Sequence, residues 1–173
     1  MLNISSLKSL TIGPGHTHSK DVILSLLEGT PNLEILDIYY DAFLEDFYEL
    51  APASYPGLRQ LHDLTVRHQG VALKHQFAAL FKWIQAVVPT PSLEHLELVS
   101  DDSRECKYSQ TFVEMIRQYP SLKTLTVPSV HLTNSEFKQT VAQCSRLSTL
   151  YFTVRGVGGK ETKRRKFWRE GVP

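Results

Sequence analysis

Five carboxylates and two histidines fall at matching places along this chain: Glu34, Asp37, Asp63, Glu94 and Glu97, with His62 and His95. Three chemistries can use such a set. Paired carboxylates serve general acid–base catalysis when a desolvated pocket separates their pKa values. Imidazole with carboxylate ligates transition metals. A row of acids on an exposed surface steers and registers a basic partner. The choice among them depends on the elements that carry the residues.

Those elements repeat. Pro31 to Ile38 reads Pro-Asn-Leu-Glu-Ile-Leu-Asp-Ile, and its Leu-x-x-Leu-x-Ile spacing returns at Leu7/Leu10/Ile12, Leu61/Leu64/Val66, Leu93/Leu96/Leu98, Leu122/Leu125/Val127 and Leu147/Leu150/Phe152. Steps between first leucines are 26, 28, 32, 29 and 25 residues. A fixed period in this range marks repeated supersecondary units. The fourth and sixth positions alternate with polar neighbours, which predicts short strands with those two positions facing a core. Valine and isoleucine at position six support strand geometry.

Helix-like stretches separate the strands: Ser19 to Glu28, Asp41 to Leu50, Leu73 to Val88, Ser109 to Tyr119, and Asn134 to Cys144 with Asn134 or Thr133 as cap. Pro31, Pro91 and Pro120 each stand two residues before a first leucine, so the chain turns from helix directly into strand. Tyr55-Pro56-Gly57-Leu58 does this with three extra residues, an added turn or a shift of register. Alternating strands and helices at this spacing predict a parallel sheet covered by helices.

The core leaves positions two, three and five free on such a sheet, with position seven near the strand ends. The residues singled out for partner binding are therefore Glu34, Asp37, Tyr39, His62, Asp63, Arg67, Glu94, His95 and Glu97. Lys8 and Lys123 flank the acidic middle. A solvated face whose charges serve solubility would have the same composition. A sheet face offers a surface rather than a cleft, and no phosphate loop, nucleophile elbow or zinc motif is present, so no catalytic residue, metal or cofactor is expected. Two histidines beside Glu94, or His16-Thr17-His18 after a Gly-Pro-Gly turn, arise readily without a metal. Phe77, Leu80, Phe81 and Ile84 share a helical stripe and belong to a core; Trp83 falls off it, as a convex contact or as packing on a neighbouring helix.

Repeats of 25–32 residues with Leu-x-x-Leu-x-Leu strands and full helices resemble the leucine-rich-repeat family, nearest the ribonuclease-inhibitor-like class, over residues 4–154. The Pro-x-Leu-x-x-Leu-x-Ile wording is similar to the repeat region of fungal F-box proteins. The resemblance implies an α/β leucine-rich-repeat solenoid of about six repeats with a parallel sheet on its concave face. It implies non-catalytic protein recognition, in its narrow form the substrate-binding part of an F-box-like ubiquitin-ligase receptor. A stand-alone scaffold or inhibitor is the alternative. Position nine departs from the family's Asn or Cys, reading Gly15, Asp41, Gln69, Asp101, Val130 and Arg155, so the usual polar ladder is partial. No F-box is contained in the sequence, so a Skp-type adaptor is expected only if one lies upstream, and the chain reads as part of a longer protein or a partial paralogue.

The 173 residues carry 42% apolar and 21% charged side chains with a net charge of +1, a folded protein without a global field for nucleic acid or membrane. Cys106 and Cys144 stand far apart, which fits a reducing compartment. Met1 to Lys8 has no apolar signal segment, so the cytoplasm or nucleus is expected. Residues 1–154 are expected to form the repeat domain. Residues 155–173, with Lys163-Arg164-Arg165-Lys166, are expected to be a flexible basic tail: a solvated end, or a nuclear-localisation or nucleic-acid contact.

Overall fold

Each Leu-x-x-Leu-x-apolar copy carries its fourth and sixth residues into a strand. The computed structural model describes residues 4–14, 20–41, 56–69, 71, 74–89, 91–100, 109–155 and 162–168. The strands are β1 (Ser9–Ile12), β2 (Ile35–Asp41), β3 (Asp63–Gln69), β4 (His95–Ser100), β5 (Thr124–Leu132), β6 (Thr149–Arg155) and β7 (Thr162–Trp168). Between them lie α1 (Lys20–Gly29), α2 (Lys74–Val87), α3 (Ser109–Ile116) and α4 (Asn134–Gln143). The strands form one sheet in chain order, with β1 to β6 parallel. Since crossovers between parallel strands are right-handed, a sheet that always advances in one direction gathers its helices on one side.

Register follows the repeat. Leu10, Leu36, Leu64, Leu96, Leu125 and Leu150 stand side by side in one row. Ile12, Ile38, Val66 and Leu98 form the next. From Leu33 onward the first, fourth and sixth positions are all buried, as are Phe77, Leu80, Phe81 and Ile84 of α2. Each fully buried leucine contributes about 1.5–3 kcal/mol, so the three-residue signature is an energetic unit and not only a pattern.

The burial also corrects and sharpens expectations. Trp83 is not a convex contact: it is buried, its ring centroid 5.7 Å from that of Tyr40. Strands β2 and β3 run further than the signature and bury Tyr40 and His68 at position eight. Asp41, expected to open a helix, ends β2, and the rest of that stretch lies outside the described residues. The fourth helix is capped by Thr133: Glu136 donates its backbone N–H to Thr133 Oγ1 at 3.3 Å, and Thr133 donates its own to Glu136 Oε2 at 2.7 Å. Pro128 interrupts β5, whose register against β6 shifts between Val127 and His131, because proline gives the ladder no donor.

Part of the C-terminal stretch is described as a strand. Thr162–Trp168 pairs antiparallel with β6, Thr149 opposite Trp168 and Arg155 opposite Thr162. Thr, Phe and Trp favour extended backbone.

The three extra residues before Leu61 form an added turn and leave the register intact. Gly57 has φ +70°, Leu58 donates to the Val87 carbonyl at 2.7 Å, and Leu58 is buried. A Cβ on Gly57 would lie 2.3 Å from Pro89 Cδ. Left-handed backbone and a filled space oppose any side chain here, so Gly57→Ala is expected to destabilise the fold by about 1–3 kcal/mol. A urea midpoint equal to wild type would refute this.

Candidate partner-binding face

The face opposite the helices is built by the residues the core does not take. At the start of each strand the chain makes the same hydrogen-bonded step. The N–H groups of Glu34 and Ile35 both donate to the Lys8 carbonyl, at 2.8 and 3.0 Å. His62 and Asp63 donate to Glu34, Glu94 and His95 to His62, Lys123 and Thr124 to Glu94, and Ser148 and Thr149 to Lys123. This fork fixes a row of six side chains: Lys8, Glu34, His62, Glu94, Lys123 and Ser148. The next rows are Ser9, Ile35, Asp63, His95, Thr124 and Thr149, and then Thr11, Asp37, Thr65, Glu97, Thr126 and Tyr151. Tyr39 and Arg67 are paired one step on. All nine residues singled out in the sequence lie on this face, each at least partly exposed.

Cross-strand polar ties lie at the strand starts rather than at position nine. Asn32 Nδ2 donates to the Ser5 carbonyl at 3.0 Å, Gln60 Nε2 to Asn32 Oδ1 at 3.3 Å, and Ser92 Oγ to the Leu61 carbonyl at 3.0 Å. The sequence signal was there, as a small or amide side chain just before the first leucine, but the family pattern directs attention elsewhere.

Three of the five carboxylates are answered inside the face. Lys8 Nζ is 2.7 Å from Glu34 Oε1, and Lys123 Nζ is 2.7 Å from Glu94 Oε2. Arg67 grips Asp37 with both arms of its guanidinium, Nε to Oδ1 at 3.1 Å and Nη2 to Oδ2 at 3.0 Å. The hydrogen bond from Lys8, then its charge, holds the Glu34 carboxyl below the ordinary 4.5. The hydrogen bond from Lys123 does the same for Glu94. His62 Nε2 stands 3.9 Å from Glu34.

Asp63 and Glu97 remain. Among the described residues neither has an ion pair or a side-chain hydrogen bond. They sit on adjacent strands, one pairing step apart along the diagonal, since Asp63 faces His95 and Thr65 faces Glu97. Ile35, level with Asp63 on β2, is 41% exposed, unusual for a large apolar side chain in mid-sheet. The acidic strip expected from the sequence is thus electrostatically narrower: two unanswered carboxylates beside one bare isoleucine, framed by internally neutralised pairs.

His62, Glu94 and His95 are not drawn into a metal-binding group; among the described residues no cluster of three or more His, Cys, Asp or Glu is placed to hold an ion. His16 and His18 lie outside the described residues, as does Cys106. Cys144 is buried against α3, its thiol directed at the Tyr119 and Ile116 carbonyls at 3.7 and 4.0 Å, and burial pushes its pKa up to about 11. Such a thiol is a packing group rather than a nucleophile. Among the described residues no helix is long and apolar enough to cross a membrane.

No family model matches the chain, and no curated protein matches it. Among solved structures, an internalin from Listeria monocytogenes aligns over 91% of this chain with 14% identity and a TM-score of 0.46. The alignment covers 45% of that protein, so this chain spans under half its length.

The ladder makes a pH test. A carboxyl whose folded pKa is depressed stabilises the fold above its unfolded value, and that contribution is lost as pH falls through the folded pKa. In a ¹³C titration the Glu94 carboxyl is expected below 4.5, and Lys123→Met should move it upward. The melting-temperature gap between the two proteins should close as pH falls through the lowered Glu94 pKa. An unmoved Glu94 titration would show that the pair is not formed in solution.

Proposed function

We propose that the chain is a leucine-rich-repeat solenoid acting as a non-catalytic recognition module, and that its open sheet face takes an extended basic segment of a protein partner. The observation that carries this is the Asp63–Glu97 pair: two carboxylates left unanswered on a face where the others have cations, next to an exposed isoleucine. A lysine or arginine of the partner meets Asp63 and Glu97, and an apolar side chain two residues along covers Ile35. Extended chains present alternate side chains to one surface, so this spacing suits a strand-like segment. The neutralised pairs around the two acids carry little net attraction and serve as a polar rim that fixes register.

The same reading puts the protein in the cytoplasm or nucleus, on the strength of its cysteine usage. The narrower form, a substrate-binding region of an F-box-like ubiquitin-ligase receptor with a Skp-type adaptor, rests on the Pro-x-Leu-x-x-Leu-x-Ile wording and requires an F-box upstream. A stand-alone scaffold or inhibitor uses the same face without that requirement.

Arrayed 12-residue peptides with Lys or Arg and an apolar residue at i+2, probed with labelled protein, test the reading. Asp63→Lys with Glu97→Lys is expected to weaken the retained peptides by about tenfold or more, while Lys123→Met changes little. Retention unchanged by the double reversal would remove the proposal.

A further inference from the structure

Asp63 and Glu97 have no cation, but they share a neighbour. His95 stands beside Asp63 in the register of β3 with β4, and it lies two residues before Glu97 on its own strand. Alternate residues of a strand share a face, and neighbouring strands run about 4.8 Å apart, so the three side chains occupy adjoining places on the open side of the sheet. Each is partly exposed. Among the described residues His95 has no ion pair or side-chain hydrogen bond of its own. The charged groups around it come from three strands. The β3 side brings His62 and Asp63, its own strand Glu94 and Glu97, and the start of β5 Lys123. Lys123 is taken by Glu94 at 2.7 Å. Thr124 and Thr126, level with His95 and Glu97 on β5, have no charge. The Glu94 carboxyl, lowered first by the hydrogen bond from Lys123, is lowered also by charge on His95 and then on His62, so both imidazoles act on this face. His62 has a different setting. It belongs to the row Lys8, Glu34, His62, Glu94 and Lys123, where each glutamate already has a lysine. A proton on His62 adds to a row that is balanced without it. A proton on His95 reaches two carboxylates that have nothing else.

We infer that His95 gates the recognition face by pH: neutral, it leaves Asp63 and Glu97 to the basic segment of the partner; protonated, it answers both carboxylates itself and repels that segment. The inference rests on the recognition proposed above and adds its regulation. Histidine is the side chain whose charge ordinarily changes between about pH 5 and 8. A proton on His95 and a lysine of the partner bring the same charge to the same two acids. Each therefore weakens the binding of the other, and affinity falls as pH falls through the imidazole range. The apolar contact to Ile35, level with Asp63 on β2, does not depend on pH, so the gate weakens binding without abolishing it.

The probe is an acetylated, amidated peptide of about twelve residues, Lys-Thr-Val-Thr repeated, whose own charge is constant between about pH 5.5 and 7.5. Its affinity, read by fluorescence anisotropy, is expected to fall about three- to tenfold from about pH 7.5 to about pH 5.5. Both values lie above the ordinary carboxylate range of about 4. His95→Gln should bring the ratio of the two affinities below about twofold, because the titrating charge is gone. His95→Lys, charged throughout, should bind weakly at both pH values. His62→Gln should keep the ratio. Without peptide, the carboxyl ¹³C resonances of Asp63 and Glu97 should show a step between about pH 5 and 8 that is absent from His95→Gln. Peptide that binds equally at both pH values overturns the gate and leaves the recognition face standing. A fall that persists in His95→Gln, or that disappears in His62→Gln, also overturns the gate. Peptide that binds at neither pH overturns the recognition face and the gate with it.

Discussion

The structure depends on one constraint: no single repeat can cover its own leucines. A strand with apolar residues at positions one, four and six has a ledge that only the strands on either side and the helices behind can bury. Leu36 stands between Leu10 and Leu64, and Leu96 between Leu64 and Leu125, so neighbouring repeats close sides that a lone repeat would leave open. Stability is therefore a nearest-neighbour quantity. The sheet holds its order because every crossover advances one step, and the fork of two N–H groups on the preceding carbonyl sets the step. Gly57 shows how strictly that step is kept: three extra residues are absorbed in a left-handed turn against Pro89 so that Leu64 still meets Leu36 and Leu96.

The same constraint divides the chain into residues that are spoken for and residues that are free. Core positions read alike in every repeat and so say nothing about a partner. The free positions differ, and most of their differences cancel: Lys8 with Glu34, Arg67 with Asp37, Lys123 with Glu94. Such exposed pairs hold register more than they stabilise. What survives the cancellation is small, Asp63, Glu97 and the bare Ile35, and it is the part of the face whose charge and apolar surface the described residues leave unused.

Much of this was legible in the sequence. The period, the strand positions, the rows of buried leucines and the set of nine face residues follow from spacing alone, because the side-chain alternation of a strand is a strict rule. The cancellation was not legible. Lys123 and Glu94 are 29 residues apart, and only register puts them at 2.7 Å. Trp83 was ambiguous because helical periodicity places a side chain on a face without saying what lies beyond it; Tyr40, at a strand position past the repeat signature, supplies that neighbour. The C-terminal strand was hidden by its charge. A run of four basic residues reads as solvated tail, yet such a run is compatible with a strand that joins a sheet by antiparallel pairing.

A ladder of parallel strands can advance only by a crossover connection at each step, usually a helix, and every step here from β1 to β6 is parallel. The step to β7 is different: Thr162–Trp168 runs against β6, with Thr149 opposite Trp168 and Arg155 opposite Thr162. An antiparallel partner needs no helix to bring the chain back, so this strand joins the sheet without the Leu-x-x-Leu-x-apolar signature that every parallel strand carries. The signature is thus a requirement of the parallel step, with its crossover to be covered, and not of sheet membership.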